Sequence, residues 1–287
     1  MSPRLSVVVP AYNNAEFVDE TVRSILDQSF DDFELIIADH ASTDDTWQVL
    51  QRYAHDERVT LLRTPAGGGA LANWSRVTEA ATGEYLRLVP GDDVLFPHTL
   101  AQHVAALDTH PSATIASSPR SLVDASTKTI IGRRGPRWRS RLVPGTEAVR
   151  ATVRAGTNLF GEPFCVTFRR EPFVGAGGWD SSFPYLIDQA SYCRALMLGD
   201  LAAVPELAGG FRLSSTQWSV ALATEQSRQA RGLHAELRRT HPEVISEADR
   251  RLGDLRARLV AQTRRLAYVV LRRRMASGAG RHEEETR

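Results

Sequence analysis

Lysine is almost missing from this chain of 287 residues: Lys128 stands alone among 35 basic side chains, and the rest are arginine. That reads as coding bias as much as functional choice, so arginine abundance by itself carries little weight. Cysteine is nearly as scarce. Cys165 and Cys193 are too few for a disulfide framework or a cysteine-based zinc site, and both fall in patterns that read as buried thiols. Net charge is low, at +1, which argues against a general nucleic-acid binder. No apolar run reaches the length of a membrane-spanning helix. The run after Met1-Ser2-Pro3-Arg4 is too short for a signal peptide and has no cleavage site. The expectation is a protein of the reducing cytoplasm, either free or peripheral at the inner face of the membrane.

The chain is 42% hydrophobic, enough for one large domain with an appended segment. Its organising stretch is Tyr85-Leu86-Arg87-Leu88-Val89-Pro90-Gly91-Asp92-Asp93. The apolar part has the length and the Pro-Gly border of a buried strand. Two carboxylates follow at once, and paired acids raise each other's pKa unless a cation or a partner neutralises them. A hard divalent cation holding a phosphate would do so. The plainer alternative is that Asp92 caps the next helix and Asp93 is solvated.

The segments before it alternate. Leu5–Pro10 is a β-branched run closed by proline, Glu16–Gln28 carries a helical apolar face, and Phe33–Ala38 is a strand ending on Asp39. Ser42 then suits the N-cap of a helix with Asp44 and Asp45 in its first turn. Val59–Arg63 is a third strand, followed by Gly67-Gly68-Gly69 and a helix over about 70–81. Such alternation predicts a mostly parallel sheet covered by helices on both faces. Its ligand edge then receives Tyr12, Asp39, Asp44 and the Asp92-Asp93 pair. The triple glycine lacks the spacing of a dinucleotide fingerprint or a P-loop lysine and reads as a flexible loop. Asn73 lies on the helix behind it.

Beyond a helix ending near Thr109, Ala113–Ser117 is another strand, and 118–141 turns polar and basic, ending Arg133-Arg134-Gly135-Pro136-Arg137-Trp138-Arg139. Surface loop and lid over an anionic ligand are both open there. Gly145–Ala155 reads as a helix, Phe164–Phe168 as a strand, and Gly175–Asp180 as a glycine-rich aromatic loop suited to a sugar ring. A helix opens at Tyr185 and carries Asp188, and Phe211–Ser215 is a short last strand. From 221 to 275 the pattern is helical and arginine-rich, with Leu252, Leu255, Leu259, Leu266 and Val270 near one stripe. That helix either packs on the domain or a second subunit, as in a homodimer, or lies on an anionic membrane. Residues 276–287 read as a disordered tail.

With these blocks laid out, the chain resembles family 2 glycosyltransferases, which have the GT-A fold. Val7-Val8-Val9-Pro10-Ala11-Tyr12-Asn13 resembles the opening strand and nucleotide-binding turn. Asp39-His40-Ala41-Ser42-Thr43-Asp44 is similar to the D-D-G-S-x-D block, and Gly91-Asp92-Asp93 to the metal motif, with Pro90 where an acid is common. Asp188, followed six residues later by Arg194, is similar to the block that supplies the catalytic base, with Ile187 in place of its first acid. Phe211-Arg212-Leu213-Ser214 resembles a Y-R-x-H block, with Ser214 in place of the histidine. The likeness spans about 5–219.

The resemblance implies an α/β GT-A domain over 1–220, with a nucleotide-sugar half to about 117 and an acceptor half over 118–220. The reaction it implies is inverting, non-processive transfer of a sugar from a UDP- or dTDP-linked donor. The acceptor would be a saccharide, a lipid-linked or a small-molecule hydroxyl, as in cell-surface polysaccharide synthesis. Asp92 would hold Mn²⁺ or Mg²⁺, with Asp93 secondary to it on the donor sugar, and Asp188 would be the general base. Pro10, Ala11, Tyr12, Asn13, Asp39, Asp44 and Asn73 would contact the nucleotide or donor, and Arg212 the phosphates. A nucleotidyltransferase would instead show a glycine-rich loop and an early lysine, and Ala11-Tyr12-Asn13-Asn14 stands where they belong. A degenerate binder without turnover is the other alternative, and a processive synthase lacks its Q-x-x-R-W block and membrane helices here.

Overall fold

The computed structural model describes residues 2–213 and 225–275, so Ser214 and the 276–287 tail lie outside the described residues. Four parallel strands form its N-terminal half: β1 (Leu5–Ala11), β2 (Phe33–Asp39), β3 (Val59–Arg63) and β4 (Tyr85–Leu88). β1 is buried at every position, as a β-branched run between two neighbours should be. Register follows from those apolar runs and places Ala11 opposite Asp39, so the two strands finish level. Helices α1 (Val18–Leu26), α2 (Thr46–Gln51) and α3 (Gly69–Glu79) link these strands.

Past β4 the sheet continues less simply. β5 (Val94–Leu95) leaves for a second sheet, α4 (Thr99–Thr109) crosses, and β6 (Ala113–Ser117) returns to the first. The main sheet has eight strands in the order β3-β2-β1-β4-β10-β6-β11-β9, where β9 is Leu142–Val143, β10 Val166–Arg169 and β11 Asp200–Ala203. β10 is antiparallel to both of its neighbours. The smaller sheet runs β5-β12-β7-β8, with β7 at Arg120–Val123, β8 at Thr129–Arg134 and β12 at Gly209–Arg212. The polar stretch expected as a loop is therefore largely a β-hairpin. β7 is buried throughout, while β8, at the sheet edge, is mostly exposed and carries the arginines that hide its strand character from a sequence pattern.

Helices α5 (Gly145–Ala155), α6 (Arg170–Gly175) and α7 (Ile187–Leu196) belong to the C-terminal half. The C-terminal segment forms α8 (Gln226–Thr240) and α9 (Glu247–Met275), which pack on each other, and α9 also packs on α5. Of the expected leucine stripe, the side chains of Leu266 and Val270 lie outside the described residues, and Leu255 and Leu259 are not on the packed face. Leu255 and Leu259 are 55% and 53% exposed, whereas Gly253, Ala257 and Ala261 are the close-packed positions. A Cβ on Gly253 would overlap the Val153 carbonyl oxygen, so α9 approaches α5 through small residues rather than leucines. Arg256 adds a hydrogen bond to the Arg154 carbonyl at 3.0 Å. Among the described residues no helix is long and apolar enough to cross a membrane. Cys165 and Cys193 are buried free thiols, and burial pushes both pKa values up.

Candidate active site

Two turns meet where β1 and β2 end. The Asn13 side chain accepts the Thr43 N–H at 2.9 Å, and the Asn13 N–H donates to Ser42 Oγ at 3.0 Å. Both turns contain residues in the left-handed region, Asn13 at φ 51° and Ala41 at φ 53°. Asn tolerates that region; Ala at 41 is strained there, where the family block has glycine. Ser42 is thus a tie between loops, not the helix cap its sequence position suggested, and its own N–H donates to Asp39 Oδ1 at 3.3 Å.

Asp44 is a tie as well. Its carboxylate accepts the Ala15 N–H at 3.1 Å, the Thr46 N–H at 3.0 Å and the Thr46 hydroxyl at 2.5 Å. Burial alone would raise its pKa, but these donors outweigh it and hold the carboxyl below its ordinary value. Those three bonds make Asp44 part of the scaffold that joins the two turns. Asp39 is fully buried, 3.4 Å from Arg63 Nε through Oδ2, an atom with no hydrogen-bond partner. Asn73 is buried against the same edge and donates to the Ala11 carbonyl at 3.3 Å, leaving its Oδ1 unpartnered. Pro10 is buried at the end of β1, while Tyr12 stands 56% exposed, edge-on to His40 at 6.2 Å. Gly67, Gly68 and Gly69 all have positive φ, which lets the chain double back into α3 beside this edge.

The second cluster follows β4. A pocket of about 330 Å³ is lined by Asp92, Asp93 and Asp188, together with Trp74, Arg120 and Glu162. Asp92 is half-buried and Asp93 fully buried. Asp93 Oδ1 accepts the Arg212 N–H at 3.0 Å, and its Oδ2, also buried, has no hydrogen-bond partner. Burial first, then the neighbouring Asp92, pushes the Asp93 carboxyl well above the usual range.

Asp188 lies in the first turn of α7 and lines the same pocket. Asn158 donates to its Oδ2 at 2.8 Å and, through the same nitrogen, to the Gly161 carbonyl at 2.8 Å. The Asn158 carbonyl oxygen accepts the Phe160 N–H at 2.8 Å, which fixes the amide orientation. Burial pushes the Asp188 pKa up to about 7. Glu162 adds to the rise, while the Gln189 N–H and Asn158 pull against it. A carboxylate poised near neutrality can take a proton from a hydroxyl.

The Arg212 guanidinium, expected at the phosphates, is buried, donating to the carbonyls of Asp92 at 2.8 Å and Ala125 at 2.8 Å, and to Glu20 at 2.5 Å. It also sits over the Phe17 ring at 4.6 Å. It ties β12 to the Asp92 turn, the β7–β8 turn and α1. Trp179, expected against a sugar, packs instead among Phe168, Phe173 and Trp74, with its indole N–H donated to Thr78 Oγ1 at 2.8 Å. Trp74 is the indole that lines the pocket. Arg194 pairs with Asp180 at 3.5 Å rather than with the pocket. Sequence reasoning missed the buried Arg120, whose Nη2 bonds Glu162 at 2.6 Å, and it missed Asn158. A basic residue on a buried strand, brought to Gly161-Glu162-Pro163 only by folding, left no local signal.

A helix-flanked α/β sheet with an acidic turn after its fourth strand and a second, smaller sheet beside it has the architecture of GT-A-type transferases. The family model described as glycosyl transferase family 2 matches residues 6–174, more than half of the chain, and the chain belongs to that family. It is a glycosyltransferase. An uncharacterized protein of Mycobacterium tuberculosis is 30% identical over 78% of this chain and 72% of its own length. The putative glycosyltransferase EpsE of Bacillus subtilis is 30% identical, but the match covers 57% of this chain and about half, 54%, of that protein. Among solved structures, Staphylococcus aureus TarS residues 1–349 with UDP-GlcNAc superposes with a TM-score of 0.66 at 18% identity, over 83% of this chain and 67% of that one. A Pyrobaculum calidifontis mannosyltransferase with GDP-Man and Mn²⁺ gives 0.63 at 19%, over 97% and 80%. At those identities the likeness is one of fold.

Proposed function

We propose that the chain carries out inverting transfer of one sugar from a nucleoside diphosphate donor, UDP- or dTDP-linked, to an acceptor hydroxyl. The observation that carries this reading is the pocket that Asp92 and Asp188 line together, with Asp188 oriented by Asn158 and poised near neutrality. Donor complexes of the structural neighbours, with UDP-GlcNAc and with GDP-Man and Mn²⁺, support a nucleotide-sugar donor.

The nucleotide is held at the β1–β2 edge. Asp39 Oδ2 and Asn73 Oδ1 are buried acceptors with no hydrogen-bond partner, suited to a base or ribose N–H or O–H once the edge opens. Tyr12 offers its exposed ring to the base, and the Pro10 to Asn13 backbone lines the approach.

The residues beyond β4 fit a divalent cation. Among the described residues no three His, Cys, Asp or Glu side chains converge on one point, so the protein builds no full cage. The half-buried Asp92, with the unpartnered Asp93 Oδ2 behind it, suits an ion that takes its other oxygen ligands from diphosphate and water. Such an ion, when bound, offsets the charge that gathers on the leaving diphosphate. Asp92 is its anchor, and Asp93 orders the turn through the Arg212 N–H. Asp188 accepts the proton of the acceptor hydroxyl as that oxygen attacks the anomeric carbon, and one displacement inverts the centre.

The test is UDP release with and without Mn²⁺, for wild type, Asp92→Ala and Asp188→Asn. Turnover that Asp188→Asn abolishes, and donor affinity that Asp92→Ala lowers only when Mn²⁺ is present, support the reading. Donor binding with no turnover for any donor overturns it, and an equal loss for Asp92→Ala in EDTA overturns the metal assignment.

A further inference from the structure

A second cavity, of about 370 Å³, lies outside the catalytic pocket. Its walls are Arg133, Arg137, Trp138, Arg139 and Arg141, and its floor is Ala203–Pro205 at the end of β11. β8 is the wall shared by the two cavities, because Arg133 lines the outer one and the adjacent Arg134 lines the catalytic pocket.

That division depends on a bulge. β7 and β8 pair with Leu122 opposite Ile131 and Arg120 opposite Arg134, so three steps on β8 match two on β7. In a regular strand Ile131 and Arg133 would share a face and Arg134 would point away. The extra residue instead brings Ile131 and Arg134 to the same side, where both line the catalytic pocket with Arg120 and Leu122, and turns Arg133 outward.

The outer groove is cationic and aromatic. Its four arginines, Arg133, Arg137, Arg139 and Arg141, are exposed, and half-buried Trp138 stands between Arg137 and Arg139. Arg133 Nη1 is anchored on the Pro205 carbonyl at 2.9 Å, and Arg141 lies 4.0 Å from Glu206. Guanidinium groups match the oxygens of a phosphate or carboxylate, and an indole offers an apolar face to a sugar ring. Like charges collected on one rim are stabilised by an anion laid across them.

We propose that this groove holds the anionic part of the acceptor, a saccharide bearing phosphate or carboxylate groups, while its reacting hydroxyl passes over β8 at Arg134 to reach Asp188. The acceptor role rests on the catalytic reading above; the groove's affinity for an anionic saccharide does not.

Calorimetric titration of the full chain with three hexamers of equal length tests it: a glycerol phosphate hexamer, an oligogalacturonate hexamer and neutral maltohexaose, at about 50 mM and about 300 mM salt. One of the anionic hexamers is expected to bind at least about tenfold more tightly than maltohexaose, and to weaken at the higher salt. Which one binds decides between phosphate and carboxylate. Arg137→Ser with Arg139→Ser is expected to lose about tenfold in that affinity while UDP binding stays unchanged. Asp188→Asn is expected to keep the hexamer affinity, so loss of catalysis and loss of the groove are read separately. The proposal is overturned if the three hexamers bind alike, if the double variant binds the anionic hexamers as wild type does, or if only phosphatidylglycerol vesicles, and neither anionic hexamer, respond to the double substitution.

Discussion

The N-terminal and C-terminal halves of this molecule are built on different rules. Up to β4 each strand, turn and helix follows its neighbour in sequence, and the residues at the sheet edge arrive in chain order. The C-terminal half is assembled from distant pieces: β5 pairs with β12, β10 inserts between β4 and β6, and α9 closes on α5. Loops following parallel strands fall on one edge whatever their composition. Strands that pair across more than a hundred residues have no such local rule.

The comparison is broken or sharpened most strongly at Asp188. Asp188→Asn is expected to lower transfer about 10²- to 10⁴-fold with donor affinity unchanged, measured as kcat and KM. In the wild type, kcat is expected to fall about tenfold per unit as pH drops below about 7, the value to which burial pushes this carboxyl. The linkage to stability has the opposite sign from an ordinary ion-paired aspartate. The folded pKa lies above the unfolded value of about 3.9, so the native state binds more protons in that window and stability declines as pH rises through it. Asp188→Asn is therefore expected to raise Tm at pH 8 by about 2–4 °C while it removes activity.

Next in size is Arg212, which joins the halves. Arg212→Ala strips hydrogen bonds from the Asp92 and Ala125 carbonyls and removes the ion-pair partner of Glu20, and about 2–4 kcal/mol of stability is expected to go, read by denaturant unfolding. A loss of UDP affinity with stability intact would instead return Arg212 to the phosphates.

The smaller effects concern how the C-terminal helices are attached. Gly253→Ala places a methyl against the Val153 carbonyl and is expected to cost about 1–3 kcal/mol. Leu255→Ala, on the exposed face of the same helix, is expected to stay within about 0.5 kcal/mol. Thermal unfolding of the two variants side by side measures the contrast, and equal costs would mean that the leucine face is covered in solution.

What the sequence by itself determined is the part written in contiguous residues. An apolar run cut by Pro10, a strand ending on Asp39 and a strand ending on Asp92-Asp93 specify a parallel sheet with acids on one edge, because buried strands and their exits are local features. Asp188 was legible through its block, as an acid at the start of a helix. Tertiary structure decided what those residues and their neighbours face. It drew the Asp44 carboxylate into the turn, sank Arg212 under the Asp92 carbonyl and put Trp74 rather than Trp179 in the pocket. It set Asn158 on Asp188, Glu162 on Arg120, and a bulge in β8 that sends adjacent arginines into different cavities. Each of these depends on a partner far along the chain or on a one-residue change of register. A side chain's chemistry is present in the sequence, but its desolvation and its partners exist only once the chain has folded around it.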